Sequence, residues 1–123
     1  MIALLFATLL QASAAAPDTA TYASKSDYRV VPSAYDWYLA TPQLVHGRGL
    51  AGKVTLLCKV TDFGDLARCQ VKDEEPKGYG FGKAAKTLST KMKMVPTPKG
   101  ETRWLLVPFA WERGGPYLPP SAP

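Results

Sequence analysis

The feature that most constrains the fold is a pair of alternating apolar and polar stretches joined by a short turn. Residues 53–61 and 66–72 both alternate with a period of two, which is typical of half-buried β-strands. Residues 62–65 read Asp-Phe-Gly-Asp, a composition that favours a turn. We therefore expect a hairpin in which residues 61, 60, 59, 58 and 56 lie opposite residues 66, 67, 68, 69 and 71, with the apolar side chains on one face.

This register places Cys58 directly opposite Cys69, and these are the two cysteines of the chain. Antiparallel neighbours approach to about 4.5 Å between Cα atoms, a separation that a disulfide can span. An even cysteine count in an exported chain favours a disulfide, and two buried free thiols are the alternative. A metal site is disfavoured because His46 is the sole histidine and no Cys-x-x-Cys motif is present.

The N-terminus has the composition of an export signal. Residues 1–14 contain no charged side chain, have an apolar core and end in Ala-Ser-Ala, the small-x-small pattern of signal cleavage. We expect a cleaved signal peptide at 1–14 and a periplasmic location, with an uncleaved anchor as the alternative. The apolar run is shorter than the roughly 20 residues that a membrane-spanning helix needs. Residues 15–34 show no apolar period and are predicted to form a flexible linker into a domain at 35–112.

Two helices are expected within that domain. Thr41-Pro42 resembles an N-cap followed by proline at the first helical position, and Gly47 and Gly49 provide a stop. A second, amphipathic helix follows Gly78-Tyr79-Gly80, and its apolar positions fall at i, i+3, i+4, i+7 and i+11. These positions are Phe81, Ala84, Ala85, Leu88 and Met92. The glycines before this helix favour a tight helix entry over a phosphate-binding loop, since no recognised phosphate motif is present.

A last strand is predicted at residues 103–111, which alternate again. Pro108 lies within it and cannot donate a hydrogen bond to a sheet ladder, so we expect this strand at a sheet edge. The proline-rich residues 113–123 are predicted to form a disordered tail.

Charge and residue content favour some classes of function and disfavour others. The net charge of +5 suits an anionic neighbour but gives little support to nucleic-acid binding. A candidate anionic-docking patch on the polar face of the second helix, for which a merely solvated face is the alternative, consists of Lys83, Lys86, Lys91 and Lys93. Catalysis is disfavoured because the lone His46 has no arranged nucleophile and no acid pair stands near it in sequence. We expect no enzyme, no metal, no cofactor and no small-molecule substrate.

Several segments, in their order and spacing, resemble the TonB C-terminal domain family of periplasmic energy transducers. They are Gly52-Lys53-Val54-Thr55-Leu56, Gly64-Asp65-Leu66, Cys69-Gln70-Val71, Gly80-Phe81-Gly82-Lys83-Ala84-Ala85, Met94-Val95-Pro96 and Val107-Pro108-Phe109-Ala110-Trp111. The resemblance implies an α+β fold with a three-stranded antiparallel sheet and helices packed on one face. It also implies that the last strand is an exposed edge that pairs with an extended segment of an outer-membrane receptor.

Transferred to this chain, the partner-binding edge strand is Arg103, Trp104, Leu105, Leu106 and Val107. The leading hypothesis is a non-enzymatic, periplasmic TonB-like module that binds an extended peptide or an outer-membrane TonB-dependent receptor by β-augmentation. Such binding would link it to TonB-dependent transmembrane transport, although the membrane helix and spacer of full-length transducers are not recognised in the sequence. The alternative is an envelope structural protein that binds anionic cell wall or lipid through the four lysines.

Overall fold

The computed structural model describes residues 20–112. Three helices lie at Ala34–Ala40 (α1), Gln43–Arg48 (α2) and Phe81–Ser89 (α3), and Lys25–Asp27 forms a single 3₁₀ turn. The strands are Thr21–Tyr22 (β1), Tyr28–Val30 (β2), Gly52–Val60 (β3), Leu66–Glu75 (β4), Lys93–Met94 (β5) and Trp104–Trp111 (β6). The predicted signal peptide at 1–14 and tail at 113–123 lie outside the described residues.

The main sheet has four strands in the order β1-β6-β3-β4. Both neighbours of β3 run antiparallel to it, whereas β1 runs parallel to β6. The α+β class is confirmed, and the prediction of a three-stranded antiparallel sheet is corrected to a four-stranded mixed sheet. The additional strand comes from the N-terminal part of the chain, whose two-residue contribution produces no alternating pattern of its own.

The hairpin of β3 and β4 forms as predicted, with two register shifts. Leu56 lies opposite Val71, as expected, but Val60 lies opposite Leu66 rather than Ala67. The shift falls beside Arg68, whose φ of 54° is in the left-handed region. One extra residue is therefore accommodated at a bulge. Cys58 and Cys69 remain close, with 4.1 Å between their Cα atoms, and form the predicted disulfide.

Helix α1 was not predicted from the sequence, and it precedes the first predicted helix, which corresponds to α2. The Ser33 hydroxyl accepts a hydrogen bond from the Asp36 amide at 3.1 Å, and the Asp36 carboxylate accepts one from the Ser33 amide at 2.9 Å. This reciprocal pair is a capping box. The Ser-x-x-Asp spacing of residues 33–36 is the sequence signal for it. Helix α2 starts after Pro42 and ends at Gly49, whose φ of 62° closes it as a left-handed cap.

The core lies between the three helices and one face of the main sheet. All five apolar positions predicted for the second helix are buried, including Met92, which lies beyond the end of α3. The aromatic centre of the core is Trp111, whose ring lies 5.1 Å from that of Trp37 and 5.0 Å from that of Phe81. Its indole Nε1 donates a hydrogen bond to the Thr41 hydroxyl at 2.8 Å.

The part of the predicted linker that the structure describes is folded, so the domain begins before residue 35. Besides β1, this part contributes β2, which pairs with β5 in a second, two-stranded sheet. Ala23 is 4% exposed and belongs to the core, and Tyr28 packs against it. This segment is ordered by its pairing with β6 and β5, although its own sequence shows no strand or helix periodicity. No helix within residues 20–112 is long and apolar enough to cross a membrane.

Candidate functional site: the outer edge of β6

Two hydrogen bonds fix the direction of every backbone group along β6. The Arg103 carbonyl accepts from the Val60 amide at 2.9 Å, so residue 103 faces β3. The Leu106 carbonyl accepts from the Ala23 amide at 2.9 Å, so residue 106 faces away from β3. Because the backbone groups of a strand alternate in direction, even-numbered residues of β6 present their amides and carbonyls outward. We call this row, formed by Trp104, Leu106, Pro108 and Ala110, the outer edge of β6.

Part of the outer edge is occupied by β1. Thr21 lies beside Leu105 and Tyr22 beside Leu106. The sequence-based expectation that residues 103–107 form an uncovered edge is therefore corrected, because a segment assigned to the linker pairs along it. Within residues 20–112, no strand is paired with the outer edge from Pro108 onward.

Pro108 occupies a position in β6 at which its missing amide donor does not interrupt the pairing with β3. It lies opposite Thr55 of β3, and as an even-numbered residue its imide nitrogen faces outward. The missing donor is therefore on the outer edge and costs no hydrogen bond to β3. This explains how proline fits within a strand that is paired along one whole side.

The opposite edge of the sheet, formed by β4, is poorly shaped for another strand. Its pairing with β3 has two register shifts, and bulges twist an edge away from regular pairing. Its far end carries Lys72, Asp73, Glu74 and Glu75, and charged side chains also disfavour edge pairing. Of the two sheet edges, the one along β6 is therefore the better acceptor.

The side chains of β6 hold this edge rigidly. The odd-numbered residues Leu105, Val107, Phe109 and Trp111 are buried in the core, and the even-numbered ones are half-buried on the other face. A groove of about 690 Å³ adjoins the end of the strand, where Ala110, Trp111 and Glu112 face Pro76. The buried side chains thus fix β6 in the domain, and within residues 20–112 its outer edge is unpaired from Pro108 onward.

Arg103, predicted as part of the partner-binding strand, is committed to contacts within the chain. Its guanidinium donates to the Val95 carbonyl at 3.2 Å and forms an ion pair with Asp27. Burial raises the pKa of Asp27, but hydrogen bonds from Ser24 and the Arg103 charge outweigh it, so this pKa lies below its ordinary value of 3.8. The ion pair therefore anchors the segment that follows β1 to the start of β6.

The four lysines of the candidate anionic-docking patch are exposed, and their charges are partly offset. Lys93 forms an ion pair with Asp65. The pKa of Asp36 is lowered mainly by the Ser33 amide hydrogen bond and also by the charge of Lys91. Neither Lys83 nor Lys86 forms an ion pair within the described part of the chain. Because Lys91 and Lys93 have acidic neighbours, the patch as a whole is weaker than its sequence indicates.

The glycine-rich entry of α3 is closed to an external anion. Gly80 caps the helix with a φ of 88°, and the Gly82 amide donates to the Glu74 carboxylate at 3.1 Å. The chain therefore supplies its own anion at this helix N-terminus. His46, the sole histidine, lies with Nε2 2.9 Å from the Tyr38 carbonyl. No cluster of three or more potential metal ligands occurs in residues 20–112.

These observations define a class: a small α+β domain whose main sheet keeps one strand edge partly open to another strand. The residues that sequence reasoning missed are Thr21, Tyr22 and Ala23. Their β-branched and aromatic character is favourable to a strand, but a run this short gives no periodic signal.

No family model matches the chain, and no curated protein matches it. The chain is similar to the solution NMR structure of the Pseudomonas aeruginosa TonB CTD, with 19% sequence identity and a TM-score of 0.47. The likeness covers 74% of this chain and 89% of that one, and it concerns the fold alone.

Proposed function

We propose that this protein is a non-enzymatic binding module that accepts an extended segment of another protein as an added strand on the outer edge of β6. The observation that carries the proposal is the pairing of β1 with Leu105 and Leu106. A segment distant in sequence already pairs with the outward backbone of Leu106, so this geometry suits a separate strand. Main-chain hydrogen bonds would supply affinity, as in other cases of β-augmentation.

The partner we propose is an exposed segment of an outer-membrane TonB-dependent receptor, which would place the protein in TonB-dependent transport. This proposal rests on the motif resemblance and on the export signal predicted at residues 1–14. The location proposed for the protein is accordingly the periplasm. No cofactor and no small-molecule substrate are part of the proposal.

The experiment removes one outward amide and compares it with an inward one. Leu106→Pro deletes a donor on the outer edge, whereas Leu105→Pro deletes a donor that faces β3 and is expected to destabilise the sheet. With a receptor-derived extended peptide, Leu106→Pro should lose roughly tenfold in affinity, equivalent to about 1.4 kcal/mol, while its far-UV circular dichroism stays native.

A matched surface variant separates this function from binding to anionic cell wall or lipid. Replacing Lys83, Lys86, Lys91 and Lys93 by Gln should leave peptide affinity almost unchanged at physiological salt. Unchanged peptide binding by Leu106→Pro, together with loss of envelope association by the lysine-free protein, would refute the proposal in favour of the anionic-surface alternative.

A further inference from the structure

The outer edge of β6 is already filled at the position where a partner strand is proposed to bind. Only one strand can lie beside the outward backbone groups of Leu106, and β1 lies there. An incoming strand would therefore compete with β1 for Leu106. We propose that β1 is a resident strand that has to leave β6 before a partner strand can occupy the same groups. The inference deepens the proposed function and rests on it for the identity of the competing strand.

The contacts of β1 are those of a segment that can detach. Thr21 and Tyr22 are both exposed, and Tyr22 is 62% exposed. The attachment consists of the short pairing with β6, the hydrogen bond from the Ala23 amide to Leu106, and the buried Ala23 methyl group. Such a segment opens with a much smaller free energy than the centre of a sheet.

The next residues explain why detachment would stop short of unfolding the domain. Asp27 accepts hydrogen bonds from the Ser24 amide at 2.7 Å and hydroxyl at 3.0 Å, and it is ion-paired with Arg103. The Asp27 carbonyl also accepts from the Val95 amide at 2.8 Å. The chain is thus held at Ser24 and Asp27, and residues 20–23 can leave while β2 remains in place.

The resident strand also indicates what a replacing strand needs. Ala23 is 4% exposed within the core cluster, while the preceding Tyr22 side chain points into solvent. An incoming strand therefore needs a small apolar side chain at the position of Ala23 and tolerates a large one immediately before it. The matching probe is a synthetic peptide with the sequence of residues 20–25, Ala-Thr-Tyr-Ala-Ser-Lys.

The test compares two proline variants of the full chain. Ala23→Pro removes the amide that donates to Leu106, whereas the Tyr22 amide faces away from β6 by alternation, so Tyr22→Pro is the matched control. We expect Ala23→Pro to bind the probe peptide at least about tenfold more tightly than the wild-type chain, because self-occupancy lowers apparent affinity. Tyr22→Pro should resemble the wild type. A peptide N-methylated at the amide that corresponds to Ala23 should not bind.

A second measurement uses the wild-type chain, so its result does not depend on whether a variant folds. In hydrogen exchange followed by NMR, the Ala23 amide should exchange markedly faster than the amides of β3. Equal protection of Ala23 and β3, or equal binding of the probe peptide by Ala23→Pro and wild type, would overturn the resident-strand proposal.

Failure of this inference is distinguishable from failure of the proposed function. A receptor-derived peptide that binds while Ala23 keeps its protection would support the binding function and contradict displacement. Uptake of the probe peptide by Ala23→Pro, with no binding of any receptor-derived peptide, would support displacement and contradict the receptor partner.

Discussion

Gly52 shows how a single residue determines the contact between the main sheet and α3. It opens β3 directly beneath the ring of Phe81, which is fully buried. A Cβ atom at this position would lie 2.5 Å from the Phe81 ring, a separation that forces one of the two elements to move. The absence of a side chain here is therefore a requirement of packing.

We predict that Gly52→Ala lowers the free energy of unfolding by about 1–3 kcal/mol, the usual cost of overpacking a core. Gly47 lies in α2 and has nothing within 4 Å of its would-be Cβ. Gly47→Ala is thus the matched control, expected to be neutral or stabilising by up to about 1 kcal/mol. Urea unfolding measures the free energy of unfolding of both variants. Equal values would show that the Phe81 ring can move aside without destabilising the core.

The disulfide is the second feature that acts at the scale of single residues. We predict no free thiol in the native protein until it is reduced, and a loss of about 1–3 kcal/mol in unfolding free energy for the double variant Cys58→Ala, Cys69→Ala. The double variant should still fold, because the apolar face of the hairpin is independent of the bridge. Thiol labelling and urea unfolding check both statements. Two reactive cysteines in protein freshly purified without reductant would contradict the first.

The cysteine pair was predictable from sequence although the full hairpin register was not. Alternation and turn length bring Cys58 and Cys69 to the same level of the two strands. The bulge at Arg68 then moves Lys59 opposite Ala67 and Val60 opposite Leu66. A residue such as arginine gives no local indication of a left-handed conformation, so the shift depends on tertiary packing.

Among the elements, α3 was the most predictable because its apolar stripe extends over three turns. Leu88 is fully buried and Lys86 is exposed. Leu88→Asp should unfold or strongly destabilise the domain, by several kcal/mol, whereas Lys86→Glu should stay within about ±0.5 kcal/mol. Thermal unfolding tests the pair, and equal melting temperatures would mean that the buried face is wrongly assigned.

The segment that carries β1 and β2 has its own predicted dependence on pH. The folded-state pKa of Asp27 lies below 3.8, so its contribution to stability is present above the unfolded-state pKa and is lost as pH falls through the folded value. We expect amides of residues 20–30 to exchange faster, relative to β3, on acidification below about pH 4. The acid sensitivity should be absent in Asp27→Asn, and its persistence in that variant would assign it to another carboxylate.

The elements that sequence analysis missed differ in why they were missed. Helix α1 has a start that its sequence indicates, since Ser33 and Asp36 have the spacing of a capping box. Strand β1 has no comparable signal, since a two-residue strand is specified by the edge it pairs with. The last strand itself is therefore recognisable from its alternating sequence, but the pairing of β1 along it is not.

At the scale of the whole molecule, the two edges of the main sheet differ in a way that matters for function. The edge along β4 is bulged and charged, whereas the outer edge of β6 is regular and backed by a packed aromatic core. Such a difference would favour the addition of a partner strand on the β6 side of the domain. We propose that an extended partner segment binds at this outer edge.

The most direct test is to titrate the ¹⁵N-labelled full chain with a receptor-derived extended peptide and follow the backbone amide shifts. We expect the largest changes at the outward amides of Leu106 and Ala110 and at Ala23, whose segment is displaced, with β4 and α3 nearly unaffected. Shifts concentrated along β4 or around Lys83 and Lys86, with Leu106 and Ala110 unchanged, would contradict this proposal.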